Sequence, residues 1–379
     1  METVSKLLNG FQAFTWQHGV MMLIGIVLIV LAIKKQYEPM LLLPMGFGAI
    51  LTNIPLSAAV EETGFLTVLY NAGIANELFP ILIFIAVGAM IDFSPLLKQP
   101  VTLFFGAAAQ FGIFAAMLIA ASMNYLIPGV FNLREAAAVG IIGAADGPTS
   151  IYVGNLFAPK YMGAIAVAAY SYMALVPMIQ PPIIRALTTK EERKIHMDAD
   201  YGIKISKTVL IIFPIAVTII AGIVAPISVP LIGSLMFGNL IRECGVLNSL
   251  SETAQNVLAN LITIVLGLTV AGQMTADKFV KPDTLLILAL GLVAFVFDTA
   301  GGVMFAKLLN LFLPADKKIN PMIGAAGISA FPMSGRVVNQ MGLAEDNQNF
   351  LLMYSISVNV SGQIASVIAG GLILTLMGM

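Results

Sequence analysis

The sequence is short of the side chains on which most enzyme chemistry depends. Among 379 residues there is one cysteine, Cys244, and there are two histidines, His18 and His196. A lone cysteine excludes an intramolecular disulfide and leaves no thiolate cluster for zinc or an iron–sulfur centre. Two scattered histidines argue against a transition-metal centre as well. Charge is scarce: 10% of residues are charged, against about 25% in a typical soluble domain. With a net charge of −1 there is no polybasic face, so nucleic acid is not expected as a partner. A secretory signal is not apparent either, because residues 1–15 carry Glu2 and Lys6 and lack an apolar core before a small-residue cleavage site.

What the chain has instead is apolar surface: 59% of residues are hydrophobic and the mean hydropathy is +0.94. The uncharged runs Gln99 to Leu133, Tyr161 to Ile184, Thr208 to Ile241 and Asn347 to Met379 each exceed the ~20 residues needed to span a bilayer. A polytopic membrane protein follows. Trp16 suits an interfacial anchor, and the basic cluster Arg185, Lys190, Arg193, Lys194, Lys204 and Lys207 places the middle of the chain in the cytoplasm. Lys34 and Lys35 point the same way.

Self-comparison divides the chain in two. At an offset of 184 to 190 residues, GFGAIL (Gly46 to Leu51) faces MFGNLI (Met236 to Ile241), and VGAMID (Val87 to Asp92) faces AGQMTA (Ala271 to Ala276). Further on, MNYLIP (Met123 to Pro128) faces LNLFLP (Leu309 to Pro314), and GIIGAADGPTSIY from Gly140 faces GISAFPMSGRVVN from Gly327. The loop corresponding to the Lys34 and Lys35 loop, IVAPISV, is uncharged, which is the bias that inverted topology produces. The expected fold is an all-α integral membrane protein, a polytopic helical bundle of two inverted-topology repeats. Its expected parts are a first membrane repeat over residues 1–187, a cytoplasmic basic linker over 188–206 and a second repeat over 207–379.

Glycine and proline interrupt both repeats, at Gly143, Gly147 and Pro148 and at Pro332, Ser334 and Gly335. Irregular backbone at bilayer depth survives only inside protein or beside water, so these broken or re-entrant helices are expected to cross near the membrane midplane. Asp146 is the only charge between Glu135 and Lys160, and Arg336 the only one between Lys318 and Glu345. An intramembrane charge is by default a functional residue. A purely structural Asp146–Arg336 pair and a helix cap at Asp146 are the alternatives. Neither explains the nearby oxygen donors Thr149, Ser150, Tyr172, Asn320, Ser329, Asn359 and Ser361; Tyr172 aligns with Asn359 at the offset that pairs the broken segments. One carboxylate among hydroxyl, amide and carbonyl oxygens suits a hard, weakly bound cation such as sodium.

These same segments resemble the β subunits of biotin-dependent, sodium-pumping decarboxylases acting on oxaloacetate, methylmalonyl-CoA or glutaconyl-CoA. The resemblance runs along nearly the whole chain and is most specific in DGPTSIY, AVAAYSYMALVPMIQPPI, KINPMIGAAGISAFPMSGRV and NQNFLLMYSISVNVSGQI. It implies a multi-pass subunit of the bacterial cytoplasmic membrane that takes carboxybiotin from a biotin carrier subunit, releases carbon dioxide and exports sodium while consuming a proton. Carried over by motif, Asp146, Tyr172 and Arg336 are the catalytic residues, with Arg336 also meeting carboxybiotin. Asp146, Thr149, Tyr172, Asn320, Gly324, Ser329 and Asn359 are the sodium ligands. The implied partners are a carboxyltransferase α subunit, the biotin carrier, a small membrane-anchored assembly subunit and further copies of the chain, as a trimer. PMSGRV and SVNVSGQ depart from many relatives. On architecture alone, a sodium-coupled secondary transporter of a small carboxylate and a passive scaffold remain open.

Overall fold

The computed structural model describes residues 9–36, 39–197, 204–314 and 317–378, and among these there is no strand. Part of the expected linker, residues 198–203, and the acid and base at Glu2 and Lys6 lie outside the described residues. The principal helices are α1 (Trp16–Lys35), α2 (Pro39–Thr52), α3 (Leu78–Met90), α4 (Thr102–Ala109), α5 (Phe111–Ser122), α6 (Leu133–Gly140), α7 (Gly147–Phe157) and α8 (Met162–Ala174). They continue with α9 (Val176–Leu187), α10 (Lys207–Val224), α11 (Val229–Glu243), α12 (Ala259–Ala271), α13 (Pro282–Phe312), α14 (Met333–Glu345) and α15 (Leu352–Leu376).

Among the described residues six helices are long and apolar enough to cross a membrane, or eight if each of two bent pairs is one span. One bent pair joins Phe65–Ile74 to α3 at 66°, and the other joins α8 to α9 at 69°. The chain is therefore an all-α, multi-pass membrane protein. Local signals set the helix ends. Thr15 and His18 form a capping box at the start of α1, while Lys34 and Lys35 occupy its last turn, where the helix dipole is negative.

The helices sort into two sub-bundles, and each half of the chain contributes to both. The first contains α1, α2 and α3 with α10, α11 and α12. The second contains α4 to α9 with α13 to α15. In the first, α3 and α11 approach so closely that a Cβ on Gly88 would strike the Leu235 carbonyl and one on Gly238 the Ile85 carbonyl. With lipid as solvent there is no hydrophobic drive between helices, so close packing on small residues supplies the adhesion. In the second, α13 is the axis: it packs on α4, α5, α8, α9 and both interrupted segments.

Part of the linker is fastened to the second sub-bundle. Arg193 Nε donates to Glu345 Oε1 at 2.6 Å, and the Arg193 carbonyl accepts from Asn320 Nδ2 and Asn349 Nδ2, each at 2.9 Å. Lys307 pairs with Glu192 at 3.1 Å.

Candidate functional site

The first interrupted segment is built by capping groups. Asn132 and Glu135 close the start of α6 with reciprocal bonds of 2.8 and 2.9 Å. The helix tightens into a 3-10 turn, Ile141–Ala144, and stops at Ala145, whose φ of 52° lies in the left-handed region that side-chain-bearing residues rarely adopt. Asp146 is extended and is the N-cap of α7: its Oδ1 accepts from Thr149 N at 3.3 Å and its Oδ2 from Thr149 Oγ1 at 2.6 Å. Pro148 lies in the first turn, where its missing N–H costs nothing. Ser150 Oγ returns to the Asp146 carbonyl at 2.8 Å.

The second segment starts at a cap of its own, but its later carbonyls are held from outside. Asn320 caps a 3-10 stretch, Pro321–Gly327, which gives way to extended backbone before α14. Asn359 Nδ2 donates to the Ala326 and Ile328 carbonyls at 3.1 and 2.7 Å, Gln180 Nε2 to the Ala325 carbonyl at 2.8 Å, and Gln363 Nε2 to the Ser329 carbonyl. Carbonyls freed from helical bonding are thereby satisfied by amides of neighbouring helices, as buried backbone requires. Gly302 of α13 and Gly324 meet backbone to backbone, with no room for a Cβ on either.

The two straps touch where both are irregular. Ser329 N donates to the Ala144 carbonyl at 3.0 Å. Beside this bond Ser329 Oγ and Ser366 Oγ share a hydrogen bond of 2.8 Å, and Ser366 Oγ donates to Asp146 Oδ2 at 3.1 Å. Asp146, Thr149, Ser366 and Ser329 thus form one chain of buried oxygens, with Asp146 itself 5% exposed. On the other flank the ring of buried Tyr170 lies against Gly147, and its hydroxyl has no hydrogen-bond partner.

A cavity of about 560 Å³ opens onto these groups between the sub-bundles. The second sub-bundle supplies Asp146, Tyr170, Ser329, Phe331 and Gln363; the first supplies Ile83, Phe84 and the amides Gln255, Asn256 and Asn260. Gln255 and Asn256 lie in a π-helical stretch, Thr253–Leu258, a departure from regular helix that is frequent at functional sites. A single carboxylate, partly satisfied at the positive end of α7 and ringed by hydroxyls, can hold a hard monovalent cation without trapping it.

The sequence matches the family described as "Na+-transporting oxaloacetate decarboxylase beta subunit" over residues 17–377. The chain belongs to that family. It is 45% identical to the probable oxaloacetate decarboxylase beta chain of Vibrio cholerae, with 99% of each chain covered. It is 48% identical to the glutaconyl-CoA decarboxylase subunit beta of Acidaminococcus fermentans, covering 98% of this chain and 96% of that one. It is 46% identical to the methylmalonyl-CoA decarboxylase subunit beta of Propionigenium modestum, at 98% and 97%.

In this member of the decarboxylase beta-subunit family, three of the sequence-derived sodium ligands, Asp146, Thr149 and Ser329, come together. The others stand elsewhere. Tyr172 donates its hydroxyl to the Leu288 carbonyl and packs on Gly291 of α13. Asn320 binds the linker at the Arg193 and Ile195 carbonyls. Gly324 packs on Gly302, and Asn359 braces the second strap, leaving its Oδ1 buried without a hydrogen-bond partner. Arg336 is exposed on α14 and forms no ion pair with Asp146 among the described residues. Asp146 is a cap after all, but a buried one that also faces a cavity.

Sequence reasoning passed over Ser366, Gln363 and Tyr170. A serine in a small-residue helix reads as packing, so Ser366 had no distinguishing signal. Tyr170 lies two residues before Tyr172 in AYSY, and repeat alignment favours the latter because it falls opposite Asn359.

Proposed function

We propose that this chain is the membrane subunit of a primary sodium pump, decarboxylating carboxybiotin delivered by a biotin carrier subunit and coupling that step to sodium export with consumption of a proton. The observation that carries the reading is the Asp146 oxygen cluster at the end of a cavity, in a chain that matches sodium-transporting decarboxylase relatives end to end. Relatives named for three different acids share almost the full length of this chain. The choice of acid accordingly belongs to a separate carboxyltransferase subunit.

Sodium is the cargo. It binds the Asp146 carboxylate, and the Thr149, Ser366 and Ser329 hydroxyls, whose hydrogens rotate freely, turn lone pairs towards it. Asp146 holds either a proton or sodium, so loading the ion frees the proton. The ureido ring of carboxybiotin enters the cavity, where Gln255 and Asn260 offer both donors and acceptors. The freed proton reaches the ureido nitrogen, the nitrogen–carboxyl bond breaks with its electron pair remaining on nitrogen, and carbon dioxide leaves. Arg336, one turn beyond the cavity residue Pro332, meets the carboxylate of the incoming carrier. Tyr172 acts through its bond to α13, while Asn320, Gly324 and Asn359 hold the second strap in shape. The working assembly comprises the carboxyltransferase, the biotin carrier, a small membrane-anchored subunit and further copies of this chain, in the bacterial cytoplasmic membrane.

Sodium-22 uptake into inverted vesicles, with and without enzymatically carboxylated carrier, tests the reading. Uptake that requires carboxybiotin and vanishes in Asp146→Asn is the expected result. Uptake driven by a carboxylate gradient alone identifies a secondary transporter and overturns the proposal.

A further inference from the structure

A second carboxylate is buried in the same sub-bundle. Asp298 lies in the 31-residue α13, is the only charged residue between Asp283 and Lys307, and is 1% exposed. Its Oδ1 accepts from Ile113 N at 3.1 Å, with Gly112 N beside it. These are the second and third residues of α5, a helix that begins inside the bundle at the break after Gln110, so Asp298 caps it from a neighbouring helix. The offset of 186 that pairs Met123 with Leu309 also pairs Gly112 with Asp298, and the two meet.

The other oxygen, Oδ2, has no hydrogen-bond partner. It is aimed at Gly143, where a Cβ would lie 2.5 Å from it. Gly143 belongs to the 3-10 turn that runs into Asp146, so the strap bearing the ion site forms one wall around Asp298. Thr299 Oγ1, next in sequence, is likewise buried without a partner.

The surroundings supply no counter-charge. Among the described residues no ion pair includes Asp298. Helices α4 and α5 carry no titratable side chain, and the second strap's 3-10 stretch carries none. The first strap offers Asp146, and α8 offers Tyr170, beside Gly147, and Tyr172, whose hydroxyl is spent on Leu288. Arg134 of α6 and Arg185 of α9 are exposed, and Glu135 is paired with Lys160. An isolated carboxylate in such a place is an uncompensated charge, and a proton on Oδ2 removes it.

We propose that Asp298 is a second exchangeable carboxyl, protonated on Oδ2 in the arrangement seen here and exchanging that proton with water when the first strap draws Gly143 away. On release the O–H bond breaks, its electron pair stays on Oδ2 and the proton leaves as hydronium. The two backbone N–H groups remain to hold the anion. The strap that carries the Asp146 site thereby governs a proton site on its opposite face.

Infrared difference spectroscopy of the full chain in liposomes, titrated with pH, reads this without any transport assay. The carbonyl-stretch band of a protonated carboxylic acid is expected at neutral pH in wild type and in Asp146→Asn, and is expected to disappear when Asp298→Asn is added to Asp146→Asn. The amide oxygen of Asp298→Asn still accepts from Ile113 N, so the thermal stability of that single variant should stay near wild type. In the assembled complex, Asp298→Asn should flatten one titrating limb of the pH profile of sodium uptake. Absence of the band from Asp146→Asn at neutral pH shows Asp298 ionised and overturns the proposal, even if Asp298→Asn does not fold. An unchanged uptake profile in a folded Asp298→Asn overturns it as well.

Discussion

The two straps are alike in backbone and unlike in chemistry. Both run from a tightened 3-10 turn through a short irregular stretch into a returning helix. In the first, the returning helix is capped by its own Asp146; in the second, α14 begins after Pro332 with no side-chain cap, and amides from α9 and α15 hold the segment instead. Two elements with a similar backbone course thus meet, and only the first carries an acid; the second is held by its neighbours.

Removing the acid should have the largest effect. Asp146→Asn keeps the cap oxygen but loses the charge, and a fall of at least about 100-fold in carboxybiotin-driven sodium uptake, roughly 2.7 kcal/mol, is expected with little change in stability. The reverse pattern should mark the second strap. In Gly324→Ala a methyl group would occupy the Gly302 carbonyl's space, so a stability loss at or above the usual ~1–3 kcal/mol of core overpacking is expected, seen as a lower melting temperature in detergent. If Gly324→Ala were as stable as wild type and only weak in transport, the division of labour between the straps would be wrong.

Smaller changes sharpen the contrast. Ser366→Ala removes one hydroxyl from Asp146 Oδ2 and should raise the sodium concentration for half-maximal uptake by about tenfold, in line with ~1.4 kcal/mol for a hydrogen bond to a charged group. Arg336→Gln, on an exposed position, should leave the melting temperature unchanged within about 0.5 kcal/mol, while raising the carrier concentration needed for half-maximal decarboxylation.

The smallest effect belongs to the linker's attachment. Partial burial of Glu192 is outweighed by hydrogen bonds from Thr189 and Lys307, which hold its carboxyl below the ordinary glutamate range. The folded state therefore binds this proton less readily than the unfolded chain. Its contribution is fully present above the ordinary value of about 4.3 and is lost as pH falls through the lowered one. The stability difference between wild type and Glu192→Gln, measured against pH, should shrink over that acidic window and stay constant above it.

How much of this was legible in the sequence depended on whether a residue's meaning was local. Glycine, proline and an isolated charge located both straps and Asp146, because backbone punctuation and the cost of charge in lipid act at the residue itself. Asp298 carried the same isolation signal as Asp146 but sits in an unbroken 31-residue helix whose apolar stretches read as an ordinary span. Its partner, the start of α5, is 185 residues away in sequence. Ser366 gave no signal, since its value comes only from facing Asp146 across 220 residues. Repeat register singles out Tyr172, whereas the position of the Tyr170 ring over Gly147 depends on tertiary packing that register does not carry. Isolation among apolar residues marks Arg336 as intramembrane but does not say which side of α14 it occupies, and there it is exposed.

The hydrogen bond from Ser329 N to the Ala144 carbonyl constrains how such a machine can work. A device hinged at its ion, with one strap on each leaf, would tear that bond at every stroke. Here both straps, Ser366 and α13 pack in one sub-bundle, and the other sub-bundle supplies the facing wall of the cavity. A first strap that shifts at Gly143 with this bond intact carries Ser329 with it, so Asp146 and Ser329 keep their spacing while Asp298 is uncovered.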